Sequence, residues 1–465
     1  MSILAGFMVP HPPMIVPEVG RGSEAKIQET IDAYDGVARQ IALLKPETII
    51  ISSPHTTMYS NYFHISPGKG AEGDFGDFRA PKVSFRESYD YELVNELSLA
   101  LFEDGFPAGI EGEQEKRLDH GTMVPLYFIR KYYKGGSIIR VGLSGLSLVD
   151  HYRLGMYIKD AVARLNRRAV FVASGDLSHK LQEYGPYGFA PEGPVYDKRI
   201  MDVAERGAFG EMLDFDEDFC DKAAECGHRS FVIMAGAFDG VAVKASKYSH
   251  QDVTGVGYGI CSFYPEGEDD RRHFLEQVMD TVNEKKNQAD GYVKLAWASL
   301  ESYIRNQKKL RVPEDIPEEL MKTLPEEIFS KQAGAFVSIH KNGQLRGCIG
   351  TIGPTRDSVA EEIVENAISA STRDPRFDAI TEDELDMLEV NVDILGEPED
   401  IDSKDQLDVK RYGVIVTSGY KRGLLLPDLE GVDDVDTQVS IAMRKGGIKP
   451  GDDYTLQRFE VIRHR

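Results

Sequence analysis

Four short runs rich in Val and Ile, ILAGFMV, ETIIIS, SIIRVGL and RAVFVAS, are separated by segments in which apolar residues return every three or four positions. That alternation is the strongest constraint on the fold: continuous β-branched runs suit strands buried on both faces, and the intervening periodicity suits helices packed against them. Ile27, Ile31, Tyr34, Val37, Ile41 and Leu44 predict a helix from Ser23 to Leu44, and similar patterns run from Tyr91 to Asp104 and from Asp150 to Leu165. The expectation is an α/β domain with a central, mostly parallel sheet flanked by helices. A helical HRSFVIMAGAFDG and strand-like VAVKASKYS and GVGYGICSFY complete the sheet near Tyr264.

At 465 residues the chain exceeds the size at which one core stops growing, so two domains are expected. Polar PEGEDDRRH and NEKKNQADG flank a helical FLEQVMDTV, which gives a first domain over 1–265, a linker over 266–286 and a second domain over 287–465. The second domain reads as a smaller α+β module, with a helix around YVKLAWASLESYI and strands AFVSIH, LRGCIGT, EVNVDIL and GVIVTS. No stretch approaches the roughly 18 uninterrupted apolar residues of a membrane span, and no basic segment leads into an apolar signal core. A cytoplasmic protein without membrane contact is expected. The net charge of -23 argues against a nucleic-acid partner, whose phosphates attract clustered Lys and Arg. Cys220, Cys226, Cys261 and Cys348 are scattered, which suits reduced thiols rather than a disulfide framework.

His11 stands among Pro10, Pro12 and Pro13. Proline lacks a backbone N–H and fixes φ, so these residues end a strand over Ile3 to Val9 and leave His11 at its carboxyl end. Open α/β sheets bind ligands at that edge. His55 follows TIIISSP and His179 follows AVFVASGDLS, so parallel strands deliver three imidazoles to one side. His120, beside Asp119 in RLDHGTMVPL, is expected in a glycine-containing turn. His64, His151, His250, His273, His340 and His464 lack this context and read as surface or satisfied residues. Converging imidazoles and a carboxylate suit a metal. Glu225 in KAAECGHRSF is the best carboxylate, although an acidic residue before a helix also serves the helix dipole. Two histidines and one carboxylate leave coordination positions open, as in non-haem Fe(II) enzymes.

In this order, PHPP, SPH, LDHGTMVPL, SGDLSH and ECGHRSF resemble the LigB-like class III extradiol ring-cleavage dioxygenases and the related Memo proteins, over about residues 1–264. The resemblance implies His11 and His55 as metal ligands and Glu225 as the carboxylate ligand. In Memo-like relatives the cysteine of the CG pair is the ligand, so Cys226 competes with Glu225. His179 is implied as the acid/base residue, with Asp176 and His120 lining the pocket. Fe(II) is the implied metal, with zinc or copper favoured if Cys226 binds, and a catechol-like diol is the implied substrate.

From 287 to 465, GAFVSIHKNGQLRGCIGTI, STRDPRFDAI and GLLLP resemble the AMMECR family. Arg346 and Cys348 alternate onto one face of a strand. The thiol is either activated by nearby cations or a small residue packed where larger ones do not fit. Arg373, Asp374 and Arg376 around Pro375 point to an ion-paired turn and an anion-binding corner. Paired AMMECR and Memo-like modules also resemble prokaryotic components that accompany a radical SAM enzyme, which implies a protein partner. Three readings follow: a metal-dependent extradiol-type oxidoreductase, a Memo-like metal-binding adaptor acting with a radical SAM enzyme, and metal-assisted hydrolysis through an activated water.

Overall fold

The four Val- and Ile-rich runs form adjacent parallel strands in the computed structural model, which describes residues 3–112, 117–429 and 431–465. They are β1 (Ile3–Val9), β2 (Thr48–Ser53), β3 (Ser137–Gly142) and β4 (Ala169–Ser174), and every residue of β2 and β4 is buried. Strands β5 (Val241–Gln251) and β6 (Tyr258–Glu268) add an antiparallel hairpin, giving the order β3-β2-β4-β1-β6-β5. The sheet is therefore mostly parallel, as expected. It belongs to the first of two units, Met1–Gln277 and Val278–Arg465.

Alternation along the strands divides the core in two. Phe7, Val9, Ile49, Ile51, Val170 and Val172 pack against α1 (Gln28–Leu44) and α3 (His120–Tyr132). Met8, Ile50, Ile139, Phe171 and Ala173 face α2 (Tyr91–Glu103), α4 (Leu148–Arg164) and α6 (His228–Gly236), with α5 (Glu192–Arg206) on the same side. Helix α1 starts later than its periodicity predicts, because Ser23–Ile27 forms a 3-10 turn and Ile27 leaves helical geometry at φ -114°, ψ 37°. Helix α4 begins at Leu148 because the Ser147 hydroxyl accepts from Asp150 N–H and caps it there.

The stretch read as a linker holds helix α7 (Phe274–Gln288). In the second unit, α8 (Gly291–Asn306) precedes β7 (Ala335–Lys341), β8 (Gln344–Gly350), α9 (Val359–Thr372) and β9 (Leu388–Leu395). Then come β10 (Tyr412–Ser418), β11 (Lys421–Leu425), α10 (Val435–Lys445) and β12 (Thr455–His464). The strands form an antiparallel sheet ordered β8-β7-β9-β12-β10-β11, an α+β arrangement. Val337, Ile339 and Val392 bury one face against Leu295 and Leu300 of α8 and Ile363 and Ala367 of α9. Among the described residues no helix is long and apolar enough to cross a membrane.

Candidate metal centre

Strand β4 lies between β1 and β2, so the carboxyl ends of all three open on one edge. His11 leaves β1, His55 leaves β2, and Asp176 and His179 follow β4. The backbone N–H of His11 donates to Asp176 Oδ1 at 2.7 Å, anchoring the proline-flanked residue to the neighbouring loop. A second close approach brings in the segment before α6: a Cβ on Gly175 would stand 2.0 Å from Gly227 Cα, so only glycine lets these loops touch. Cys226 N–H donates to Asp176 O at 3.3 Å and Asp176 N–H donates to Cys226 Sγ at 3.3 Å.

Three donors converge there. His11 Nε2 is 3.0 Å from His55 Nε2 and 3.6 Å from Cys226 Sγ, and the three ligand atoms lie within 4.8 Å of one another. Bond lengths of about 2.0–2.1 Å to nitrogen and 2.3 Å to sulfur put two nitrogens roughly 2.9–3.4 Å apart, and nitrogen and sulfur roughly 3.1–3.6 Å apart, for angles from square to tetrahedral. The two separations from His11 Nε2, to His55 and to Cys226, fall within these ranges. The tautomer of His11 matches as well. Ser174 Oγ donates its single proton to Gly121 O at 2.6 Å, so it accepts from His11 Nδ1–H at 3.0 Å and leaves the Nε2 lone pair facing the cluster.

Burial, reinforced by the neighbouring imidazoles, holds His11 well below the usual histidine range. Burial also lowers His55, against the pull of Asp119. The Cys226 thiol is pushed well up by burial and then by the carboxylates of Asp176 and Glu225, so a metal binding there displaces its proton.

Glu225 is not part of the cluster. Its Oε2 accepts from His228 N–H at 2.5 Å, satisfying an otherwise unpaired donor at the start of α6, and burial raises its carboxyl to about 7. Of the two neighbours read as competing ligands, the structure brings Cys226 to the histidines and turns Glu225 to the helix.

His120 does not sit in a turn. It is the first residue of α3, because Asp119 accepts from Thr122 N–H at 3.0 Å and from Thr122 Oγ1 at 2.8 Å and so starts a helix there. Its ring lies 3.9 Å from that of His55 and 5.3 Å from Phe78, and burial, then His55, lower it to about 4. His179 Nδ1–H donates to Ala224 O at 2.6 Å, which leaves Nε2 as the acceptor, 4.0 Å from Asp176 Oδ2. Burial raises Asp176 to about 7 against the His11 N–H, and lowers His179. Ser174, Phe78 and Tyr187, whose ring meets His179 edge-on at 5.1 Å, are additions that sequence reading did not single out. Only Ser174 had a signal, as the polar end of an otherwise apolar strand.

Ion pairs and packing hold the second-unit candidates. Arg346 and Cys348 do share a face, but Arg346 makes a two-pronged pair with Glu384 at 3.0 and 2.9 Å. The Cys348 thiol is raised by burial, which outweighs its Ser338 hydrogen bond and the Arg376 charge, so the neighbouring cations do not activate it. Arg373 pairs with Glu365 at 3.2 Å, while Asp374 holds Arg376 at 2.6 Å and accepts from Cys348 N–H at 2.9 Å. The two arginines thus serve separate carboxylates and form no common corner.

A family model described as the catalytic LigB subunit of aromatic ring-opening dioxygenase matches residues 5–261, and one described as AMMECR1 matches residues 293–464. A protein of Clostridium acetobutylicum is 41% identical over 474 residues, covering 100% of both chains. One of Thermotoga maritima is 49% identical over 176 residues, 37% of this chain and 97% of its own. Among solved structures, an uncharacterised protein from Pyrococcus horikoshii is 29% identical with a TM-score of 0.34, covering 38% of this chain and 91% of its own. The chain belongs to the LigB family, with an AMMECR1 domain in its second unit.

Proposed function

We propose that the first unit is a metal-dependent oxidoreductase of the ring-opening dioxygenase type, with His11, His55 and Cys226 holding the metal and a catechol-like diol as substrate. The observation that carries this reading is the convergence of the three donors beside free proton acceptors. When bound, the ion supplies Lewis acidity and a route for electrons between diol and dioxygen. Iron is the ion that ring opening uses, while the thiolate also suits copper or zinc.

The remaining steps fall to the protein. His179 takes a hydroxyl proton at Nε2, since its Nδ1 is committed to Ala224 O, and Asp176 shares the resulting charge. His120, neutral at pH 7, offers a second acceptor, and Phe78 beside it gives an apolar wall for an aromatic ring. Cys226 in the position where the dioxygenase reading expects a carboxylate favours a second reading, a metal-binding adaptor that acts with a radical SAM enzyme and opens no ring.

Elemental analysis of protein purified without oxygen, followed by oxygen uptake with a panel of catechols, separates the two. The first reading expects near-stoichiometric metal in wild type and His179→Gln, with oxygen uptake only in wild type. Metal-replete wild type that consumes no oxygen with any catechol rejects it in favour of the adaptor.

A further inference from the structure

In the second unit, helices α8 and α9 cover one face of strands β7 and β9. Ala335, Val337 and Ile339 of β7 point into that core, so Phe336, Ser338 and His340 point away from it. On β9, Val390 and Val392 face the core, which leaves Asn391 and Asp393 opposite. Gly347 of β8 lies against α9, where a Cβ would meet Ala370 O at 2.2 Å, so Cys348 faces outward with them. These outward residues line a cavity of about 690 Å³, within the size range of small-molecule sites.

Its lining has two characters. Phe336, Leu345, Ile352, Leu424, Leu426 and Leu429 make an apolar floor, and Arg376, Arg422, Lys445, Arg463 and Arg465 supply cations at its sides. Asp393 is the one acidic side chain among the lining residues, and Arg463 already pairs with it at 2.9 Å. Asp374 similarly fixes Arg376. Among the described residues no carboxylate pairs with Arg422 or Lys445; Arg422 meets only the Gln457 amide oxygen, at 3.3 Å. In a chain of net charge -23, an apolar cavity with this excess of positive charge is a local inversion of the field.

We infer that this cavity is a binding site for a small organic anion, an aromatic or alkyl body bearing a carboxylate or phosphate. The body lies on the Phe336 and Leu424 side, and the head group meets Arg422 and Lys445, with Arg376 and Arg463 held in place by their own carboxylates. Guanidinium forks recognise either head group in two-pronged fashion.

The test uses the full chain and four probes: 2-naphthoate, 2-naphthyl phosphate, neutral 2-naphthol and inorganic phosphate. Affinities come from calorimetry, and location comes from protection of Cys348 against alkylation, mapped by mass spectrometry. One naphthyl anion should bind at least about tenfold more tightly than both naphthol and inorganic phosphate, and the tighter of the two names the head group. Binding should slow Cys348 alkylation. The double variant R422Q/K445Q changes two exposed side chains and should keep the fold, weaken binding about tenfold and abolish protection. Equal affinity for naphthol and the anions, undiminished binding by the double variant, or binding without protection of Cys348 would each overturn the proposal.

Discussion

His11 Nε2 and His55 Nε2 lie 3.0 Å apart although the residues are 44 positions apart in the chain. The strand between theirs, β4, ends in Ser174, whose hydroxyl accepts from His11 Nδ1–H and donates to Gly121 O. The intervening strand therefore decides which imidazole nitrogen faces the cluster.

Ser174→Ala removes that partner. It should lower metal affinity about 10–100-fold while leaving the fold intact, measured by competition against a chelator of known affinity. Unchanged affinity would mean that another group sets the tautomer.

Glu225→Ala should retain bound metal and lose about 1–2 kcal/mol of stability in chemical denaturation, because it leaves the first N–H groups of α6 without their acceptor. Glu225→Gln keeps an acceptor oxygen and should recover most of that loss.

The sequence made the sheet legible because strands buried on both faces must be apolar throughout, and β2 and β4 are. The proline-flanked His11 and the strand-end His55 were legible for the same reason, since a parallel sheet has one carboxyl edge. The choice between Glu225 and Cys226 was not. Neighbouring side chains diverge according to local backbone dihedrals, and here Ala224 takes φ +53° just before them, followed within a few residues by the start of α6. No residue pattern marks an alanine for that conformation. The helix at His120 was hidden by its glycine and proline, GTMVP, although Asp119 three residues before Thr122 is a capping signal. The Arg346 ion pair was not legible because its partner Glu384 is 38 residues away.

Two buried histidines that are not among the three converging donors should make the first unit acid-sensitive. His151 donates from Nδ1 to Ser147 O at 2.8 Å and accepts at Nε2 from Ser144 N–H at 3.3 Å, and burial lowers it to about 3. His228 is likewise lowered to about 4 by burial. A histidine lowered in the folded state binds its proton more readily when unfolded, so stability is complete above about pH 6.5 and declines below it. Glu225 and Asp176, raised to about 7, act in the opposite sense as pH rises from about 4 to 7, so His151 is isolated by comparison with His151→Gln. Wild type should lose stability relative to that variant by up to about 1.4 kcal/mol per pH unit between about pH 6.5 and 4. Parallel pH profiles would refute this assignment.

In the second unit, burial alone would raise Glu384, but the Arg346 pair and then Lys341 hold it down to about 2. Arg346→Ala should destabilise this unit by about 2–4 kcal/mol, seen as a lowered thermal transition, because a largely buried carboxylate loses its two-pronged partner. An unshifted transition would show that Lys341 alone suffices.

The claim that matters most is that the third metal donor is the Cys226 sulfur. Titration of the metal-free protein with Co(II) under anaerobic conditions, followed by absorption spectroscopy, tests it most directly. A Cys226 thiolate ligand gives an intense thiolate-to-cobalt charge-transfer band in wild type, retained in Glu225→Gln and absent in Cys226→Ser. A spectrum without that band, together with loss of cobalt binding in Glu225→Gln, would contradict it and return the site to two histidines and a carboxylate.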